Sequence, residues 1–362
     1  MKPRILYIVP HRLNRSPGQR FRCEHFIPIL EEKGFECTYA NLLNAWDDEH
    51  FYNKTAFLQK IWILTKSFYK RLIHSIQARN YDIIFIYREA FMIGTTFFER
   101  LLYMWGNPII YDFDDSIWLN DTSEGNKQFA WLKNSKKTNT IIKLAHTVIV
   151  GNKYLAEYAS QFNEHIQIIP TTIDTKYHTR TINNIESHSI CIGWTGTETT
   201  LKHYTTIIPV LQTIKQKYGN RVKFKIISNV PYYNTDLDIE YVNWNAASEI
   251  HDLQTIDIGI MPLPNDEWSK GKCGFKGLQY MSLEIPSILS PVGVNTEIIE
   301  HGVNGFLAET DLEWEQCLST LIEDVELRKT LGKAGRKTIE DRFSIHSQKD
   351  KYISIITNAL KK

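Results

Sequence analysis

Short apolar runs, each followed by a helical pattern, recur along the whole chain, and this alternation limits the fold more than any other feature. In the first half the runs are Ile5–Val9, Ile83–Tyr87, Pro108–Tyr111 and Thr147–Val150, with a weaker one at Cys37–Ala40. The second half repeats the pattern at Ile190–Trp194, Val222–Ser228, Ile239–Trp244, Ile256–Pro262 and Ser287–Ser290. Apolar strands interleaved with helices are the signature of parallel sheets covered on both faces, so the fold class is α/β. A chain of 362 residues exceeds the size at which one core stops growing, which makes two such domains the expectation.

Composition excludes several classes. Hydrophobic residues are 43% and charged residues 23%, and the net charge is +1, which fits a soluble globular protein and argues against general nucleic-acid binding. The five cysteines, Cys23, Cys37, Cys191, Cys273 and Cys317, lack CxxC spacing and read as reduced thiols. The opening MKPRILYIVPHR reads as a buried first strand, too short for a signal peptide, and no apolar stretch approaches the roughly 20 residues that span a bilayer. A cytoplasmic protein is expected, with peripheral contact at the inner face of the cell membrane as an addition. That addition rests on Phe51 to Tyr81, where six lysines or arginines and no acid are interleaved with Phe57, Trp62, Phe68 and Tyr69. Residues 54–79 either lie on an anionic membrane surface or pack on the core with a basic outer face.

The stretch KGKCGFKGLQYMSLEIPSILSPVG, residues 270–293, carries the main chemical signal. A helix from about Cys273 to Leu283 would put Lys272, Lys276, Gln279 and Tyr280 on one face and Phe275, Leu278 and Met281 on the other. The turn Pro291-Val292-Gly293 leads to a second helix beginning near Asn295, whose free N–H groups beside two lysines would suit a phosphate or diphosphate. The loop TGTETT, from Thr195, Gly196 and Thr197 onward, offers close backbone approach and hydroxyls to the same ligand, with Lys202 nearby. In the first half, Pro17-Gly18 reads as a turn after the first strand, with a helix beginning near Arg20. Arg12, Arg15, Arg20 and Arg22 there either meet an anionic partner or are solvated loop charges. The run IIYDFDDSIW gathers Asp112, Asp114 and Asp115 after a strand, with Arg88 on the same rim, either as ligands or as loop caps.

The pieces FKGLQYMSLEIPSILSPVG and VNTEIIEHGVNGFLAETD resemble the retaining group 1, or family 4, glycosyltransferases of GT-B architecture, and the resemblance extends over nearly the whole chain. It implies two Rossmann-like domains facing across a cleft. The first covers 1–172 and is rejoined by a last helix at about 344–362; the second covers 187–343, after a polar linker reaching Ser189. It implies transfer of a hexosyl-type sugar from a nucleotide diphosphate to a glycan or lipid-linked acceptor, with retention, in surface polysaccharide or glycoconjugate synthesis, without metal or cofactor. Lys272 and Lys276 would stabilise the leaving diphosphate. Asp114 and Asp115 would face the acceptor and the transferred sugar, and Pro17, Gly18, Arg20, Arg22, Arg88 and Asp112 would bind the acceptor. Asn243 and Trp244 would hold the base, and Asp266 and Glu267 would meet sugar hydroxyls. Gln279, Tyr280, Val292, Gly293 and Asn295 would complete the donor site. The chain departs from the family where two glutamates usually stand eight positions apart, since Gly271 and Gln279 occupy those places. Trp194 and Thr199 replace a usual arginine and lysine. These departures leave two rivals, a catalytically inactive scaffold subunit and a sugar-nucleotide epimerase on the same fold; a phosphorylase does not fit the length.

Overall fold

The computed structural model describes residues 2–52, 57–119, 134, 136–181 and 189–361. The expected linker residues 182–188 and positions 54–56 of the basic stretch lie outside them. The chain divides into two compact units, Met1–Thr172 with Gln348–Lys362, and Ile173–Ser347.

The first unit holds a six-stranded sheet of β1 (Arg4–Val9), β2 (Glu36–Asn41), β3 (Ile83–Tyr87), β4 (Ile109–Phe113), β5 (Thr147–Val150) and β6 (Ile166–Ile168). The spatial order is β2-β1-β3-β4-β5-β6 and every pair is parallel. β1, β3, β4 and β5 are almost wholly buried, which is why their sequences read as unbroken apolar runs. The terminal helix Ile345–Ala359 contributes Tyr352 to this unit, where it stacks on Phe26 with ring centroids 4.0 Å apart.

The second unit repeats the plan with β7 (Ile190–Gly196), β8 (Val222–Ser228), β9 (Ile239–Asn243), β10 (Ile258–Met261), β11 (Ser287–Leu289) and β12 (Phe306–Leu307). The order is β12-β11-β10-β7-β8-β9, again all parallel. β12 has only two residues, too few for a periodic signal, and the sequence does not reveal it. In both units the strand order reverses beside the first strand, at β1/β3 and at β7/β10. Open α/β sheets bind ligands outside the carboxyl ends of the strands at such a point.

Two expectations about helices are corrected here. The helix after β1 begins at Pro17 and not near Arg20, because proline at the first helical position costs no hydrogen bond. The basic aromatic helix, Phe57–Gln77, has its polarity inverted relative to both readings of it. Its buried positions are Lys60, Ile63, Ser67, Arg71 and Ser75, while Leu58, Trp62 and Tyr69 face outward. Arg71 explains the orientation. Its guanidinium donates to the carbonyl oxygens of Ala90 (2.6 Å), Val9 (2.9 Å) and Ala40 (3.0 Å), at the ends of β3, β1 and β2. Lys66 pairs with the buried Asp47, and Lys70 reaches Leu42 O at 3.4 Å, so the cations are spent on the inner side. Arg71→Met should therefore remove the guanidinium donors from three buried carbonyl groups, of which Val9 O keeps Leu42 N (3.1 Å), and lower unfolding free energy by about 2–4 kcal/mol, read as a lower chemical-denaturation midpoint. A change within about 0.5 kcal/mol would show that the guanidinium does not hold the strand ends.

Candidate functional site

In the first unit the expected residues gather at the carboxyl ends of β1, β3 and β4. Arg88, immediately after β3, adopts a left-handed backbone with φ of 60°. Its N–H donates to Asp112 O (2.8 Å) and its carbonyl accepts from the Tyr111 hydroxyl (2.8 Å), which together hold a conformation that a non-glycine residue adopts at a cost. So placed, Arg88 donates to Asp114 Oδ1 through Nε (3.0 Å) and Nη2 (2.8 Å), and Tyr87 donates its hydroxyl to the same oxygen (3.0 Å). Asp115 Oδ2 lies 3.5 Å from the same guanidinium. Burial alone would raise the Asp114 carboxyl, but Arg88 and then Arg22 outweigh it and hold the group below the usual carboxylate range. Gly18 is pressed against this cluster: a Cβ there would lie 2.5 Å from the Tyr87 hydroxyl and 3.1 Å from Asp114 Oδ2.

Arg22 and Asp112 do not join a ligand-facing set. Both side chains are fully buried, and Arg22 Nε and Nη2 meet the two Asp112 oxygens at 3.1 and 2.7 Å, while Nη1 donates to Ile169 O. Their expected acceptor role is replaced by a structural one, because a fork-to-carboxylate pair at zero exposure leaves no donor for a ligand. Arg20 is also largely buried, with its guanidinium 4.5 Å from the Phe21 ring centroid. Arg12 and Arg15 stay on the surface, both anchored on Asp48 (3.2 and 3.3 Å) beside His11.

In the second unit the expected single helical face is broken by the backbone. The helix spans Phe275–Ser282, and Gly274 before it takes φ of 68°, so Lys272 lies in the preceding loop. Two tryptophans bring the ammonium groups into position instead: Lys276 Nζ stands 5.6 Å from the Trp194 ring centroid and Lys272 Nζ 4.7 Å from that of Trp268. Tyr280 and Gln279 point inward. The Tyr280 hydroxyl accepts from Thr195 N (2.9 Å), and the Gln279 amide donates to the buried Glu249 (3.0 Å), which also accepts from the Trp244 indole (3.3 Å). Tyr280 therefore braces the end of β7 and does not face a ligand.

Around this frame, Gly196 accommodates the Trp194 ring, which a Cβ would meet at 2.4 Å, and Thr197 caps the helix Glu198–Thr205 in a reciprocal box with Thr200. Lys202 is exposed on that helix. Asp266 caps the turn Glu267–Lys270 through Ser269 N (2.7 Å), and Asp266 and Glu267 remain at the surface. Asn243 is exposed and accepts from the Tyr241 hydroxyl. The second helix, Asn295–Ile298, has only four residues, too short for the expected dipole site, and Asn295 is buried with its amide donating to Ser290 O (2.9 Å). Val292 is buried, and Gly293, at φ of 56°, packs on the Lys270 backbone, where a Cβ would approach Lys270 O to 2.6 Å.

Sequence reasoning missed His203 and Glu249. His203 is buried on the helix Glu198–Thr205, and its Nε2 has no hydrogen-bond partner. Burial, then Lys202, Lys276 and Lys272, lower it to about 4 against the opposing pull of Asp266, so the imidazole is neutral near pH 7. A histidine in an inward-facing helical stripe reads as core; only the fold reveals that lysines from three segments share its surroundings. Because Lys276 depresses His203, Lys276→Ala should raise the His203 titration midpoint toward the ordinary 6.5, followed by imidazole NMR resonances. An unmoved midpoint would separate Lys276 from this cluster.

Comparison with known proteins bears on the fold and on the second unit's sequence pattern. Residues 189–324 match the family described as Glycosyl transferases group 1. An 88-residue stretch is 30% identical to the human Alpha-1,3/1,6-mannosyltransferase ALG2, covering 24% of this chain and 21% of that protein. A 223-residue stretch is 24% identical to the Staphylococcus aureus capsular polysaccharide biosynthesis glycosyltransferase CapM, covering 59% and 56%. The chain thus spans about half the length of one of these relatives and a fifth of the other. Among solved structures, Anabaena Alr3699/HepE in complex with UDP and glucose superposes with a TM-score of 0.64 at 14% identity, covering 98% of this chain and all of that one. The chain has the GT-B fold of these glycosyltransferases, two α/β units each built on a parallel six-stranded sheet, and its second unit carries the group 1 sequence pattern.

Proposed function

We propose that this chain is a hexosyl-type glycosyltransferase. It moves a sugar from a nucleotide diphosphate to a glycan or lipid-linked acceptor, with retention at the anomeric carbon, in the synthesis of a surface polysaccharide or glycoconjugate. One observation carries the reading: beside β7, at the strand-order reversal of the second unit, Lys276 Nζ stands 5.6 Å from the Trp194 ring centroid and Lys272 Nζ 4.7 Å from that of Trp268, and with Lys202 they act on the buried His203. Cations preorganised where a diphosphate departs stabilise the charge that develops in the transition state. The similarity to CapM and to a fold solved with UDP and glucose supports the donor and product classes.

The chemistry follows from the charges. As the bond from the anomeric carbon to the donor phosphate breaks, negative charge grows on the diphosphate, and the ammonium groups of Lys276 and Lys272 meet it. The acceptor oxygen attacks from the face the diphosphate leaves, and its proton passes to the departing phosphate, so no separate base is required. Asp114, ionised and fixed by Arg88 and Tyr87, orients a hydroxyl through its remaining lone pairs. The reading needs neither metal nor cofactor, since Asp112 and Asp114 have guanidinium partners that take the place of a cation. It places the protein in the cytoplasm, peripheral to the inner face of the cell membrane through residues 54–79.

An inactive scaffold subunit remains the second reading, favoured by Gln279, whose amide is engaged with Glu249. A transfer assay with UDP-, GDP-, ADP- and dTDP-sugars decides between them: turnover of any donor supports the enzyme, and binding without turnover supports the scaffold. Lys276→Ala should lower turnover about a hundred- to a thousandfold, equivalent to about 3–4 kcal/mol, with little change in melting temperature. Lys276→Arg should recover only part of it, because a planar fork replaces a point charge. A folded Lys276→Ala protein with wild-type turnover removes this lysine from the chemistry. Activity should also persist in excess EDTA, and a loss reversed by magnesium or manganese would overturn the metal-free reading.

A further inference from the structure

Nineteen large hydrophobic side chains are exposed among the described residues, and twelve of them fall on two segments of the first unit. Eight are on the helix Phe57–Gln77 and four within residues 97–105, at and just beyond the helix Phe97–Met104. The two segments are joined by ring contacts, with Phe68 5.0 Å from Phe98 and 6.1 Å from Phe97, and by the Trp105 indole donating to Ser75 O (2.7 Å). Leu58 and Met104 are each 77% exposed, Tyr69 63% and Trp62 60%, so the surface is open. Scattered surface hydrophobes are ordinary, but a concentrated field of this kind marks an interaction surface.

We infer that this face is a hydrophobic docking surface for a phospholipid bilayer, with the helix Phe57–Gln77 lying in the plane of the interface. The inference deepens the membrane part of the reading above and rests on it only for the premise that the protein works at a membrane. Three observations select the bilayer over a second protein. The helix is about 30 Å long at roughly 1.5 Å per residue and carries no carboxylate, so nothing on it repels an anionic leaflet. Its outward residues include Trp62 and Tyr69, and the neighbouring segment adds Tyr103 and Trp105, the side chains that favour the boundary of hydrocarbon and water. The outward stripe also lacks the complementary charges that fix the register of a protein pair, since Lys60, Lys66, Lys70 and Arg71 are turned inward. Among the described residues no helix is long and apolar enough to cross a membrane, so contact is in-plane. The driving force is therefore apolar burial, whereas the sequence had suggested charge.

Co-sedimentation of the full chain with vesicles of phosphatidylcholine alone, and of phosphatidylcholine with about 30% phosphatidylglycerol, tests this at roughly 0.05 and 0.5 M salt. Binding to both vesicle types should be retained at the higher salt within about twofold. Indole fluorescence should shift to the blue on binding and be quenched by brominated lipid. The double substitution Leu58→Asp with Trp62→Asp should weaken binding at least about tenfold while leaving the melting temperature unchanged or higher, and Trp62→Phe should bind nearly as well as the parent. Binding confined to phosphatidylglycerol vesicles and lost in salt would overturn the inference. So would no binding at all, or a self-association abolished by the same double substitution, which would assign the face to a second copy. Vesicle binding is read without sugar transfer, so failure of the transferase reading leaves this result intact.

Discussion

Carbonyl groups at the carboxyl ends of parallel strands must find donors when helices and loops bury them, and the first unit meets that demand with charged side chains. Arg71 serves three strand-end carbonyls, Arg22 serves Ile169 O, and Lys137 reaches Phe91 O and Ile93 O. Each cation arrives from a helix packed on the sheet. Two of these buried cations also have a carboxylate, Asp112 for Arg22 and Glu89 for Lys137, whereas Arg71 is held by carbonyl oxygens. Losing one partner of such a pair costs about 3–5 kcal/mol, because the other charge stays behind without compensation. The rim of the unit is built over this network: the Asp112 carbonyl fixes Arg88, which in turn fixes Asp114.

The second unit reaches a similar end with aromatic rings and close backbone approach. Tyr280 sends its hydroxyl to Thr195 N beneath the loop after β7, and the Trp194 ring occupies the space that a side chain at position 196 would need. Trp194 then presents a face to Lys276, and Trp268 presents one to Lys272. A ring quadrupole attracts an ammonium without neutralising it. Burial, and then the lysines nearby, keep His203 neutral.

Much of this architecture could be read from sequence because strands buried on both faces leave long apolar runs. Ile83–Tyr87, Thr147–Val150 and Val222–Ser228 were legible to the residue. The site was less legible, because its residues depend on contacts far apart in the chain. Arg22 and Asp112 are 90 positions apart, and nothing local to either shows that they neutralise each other. Periodicity put Lys272 on the helix of Lys276 because it cannot see the left-handed Gly274 that separates them. Gln279 likewise looked like an open polar position, although its amide belongs to Glu249, 30 residues earlier.

The inverted helix shows why period and polarity are separate signals. Residues 57–77 have a clear amphipathic period, and the period alone does not say which face is inside. The usual assignment sends cations to water, since desolvating a charge is unfavourable unless it is paired or hydrogen-bonded. Here the inner face offers that pairing: Asp47 for Lys66 and three carbonyl oxygens for Arg71. Once the polar stripe is committed to the sheet edge, helical geometry turns Leu58, Trp62 and Tyr69 outward, whatever medium they meet. The exposed apolar face is thus the geometric counterpart of the buried cations, and the strand-end carbonyls that anchor Arg71 determine which side of the helix the surroundings see.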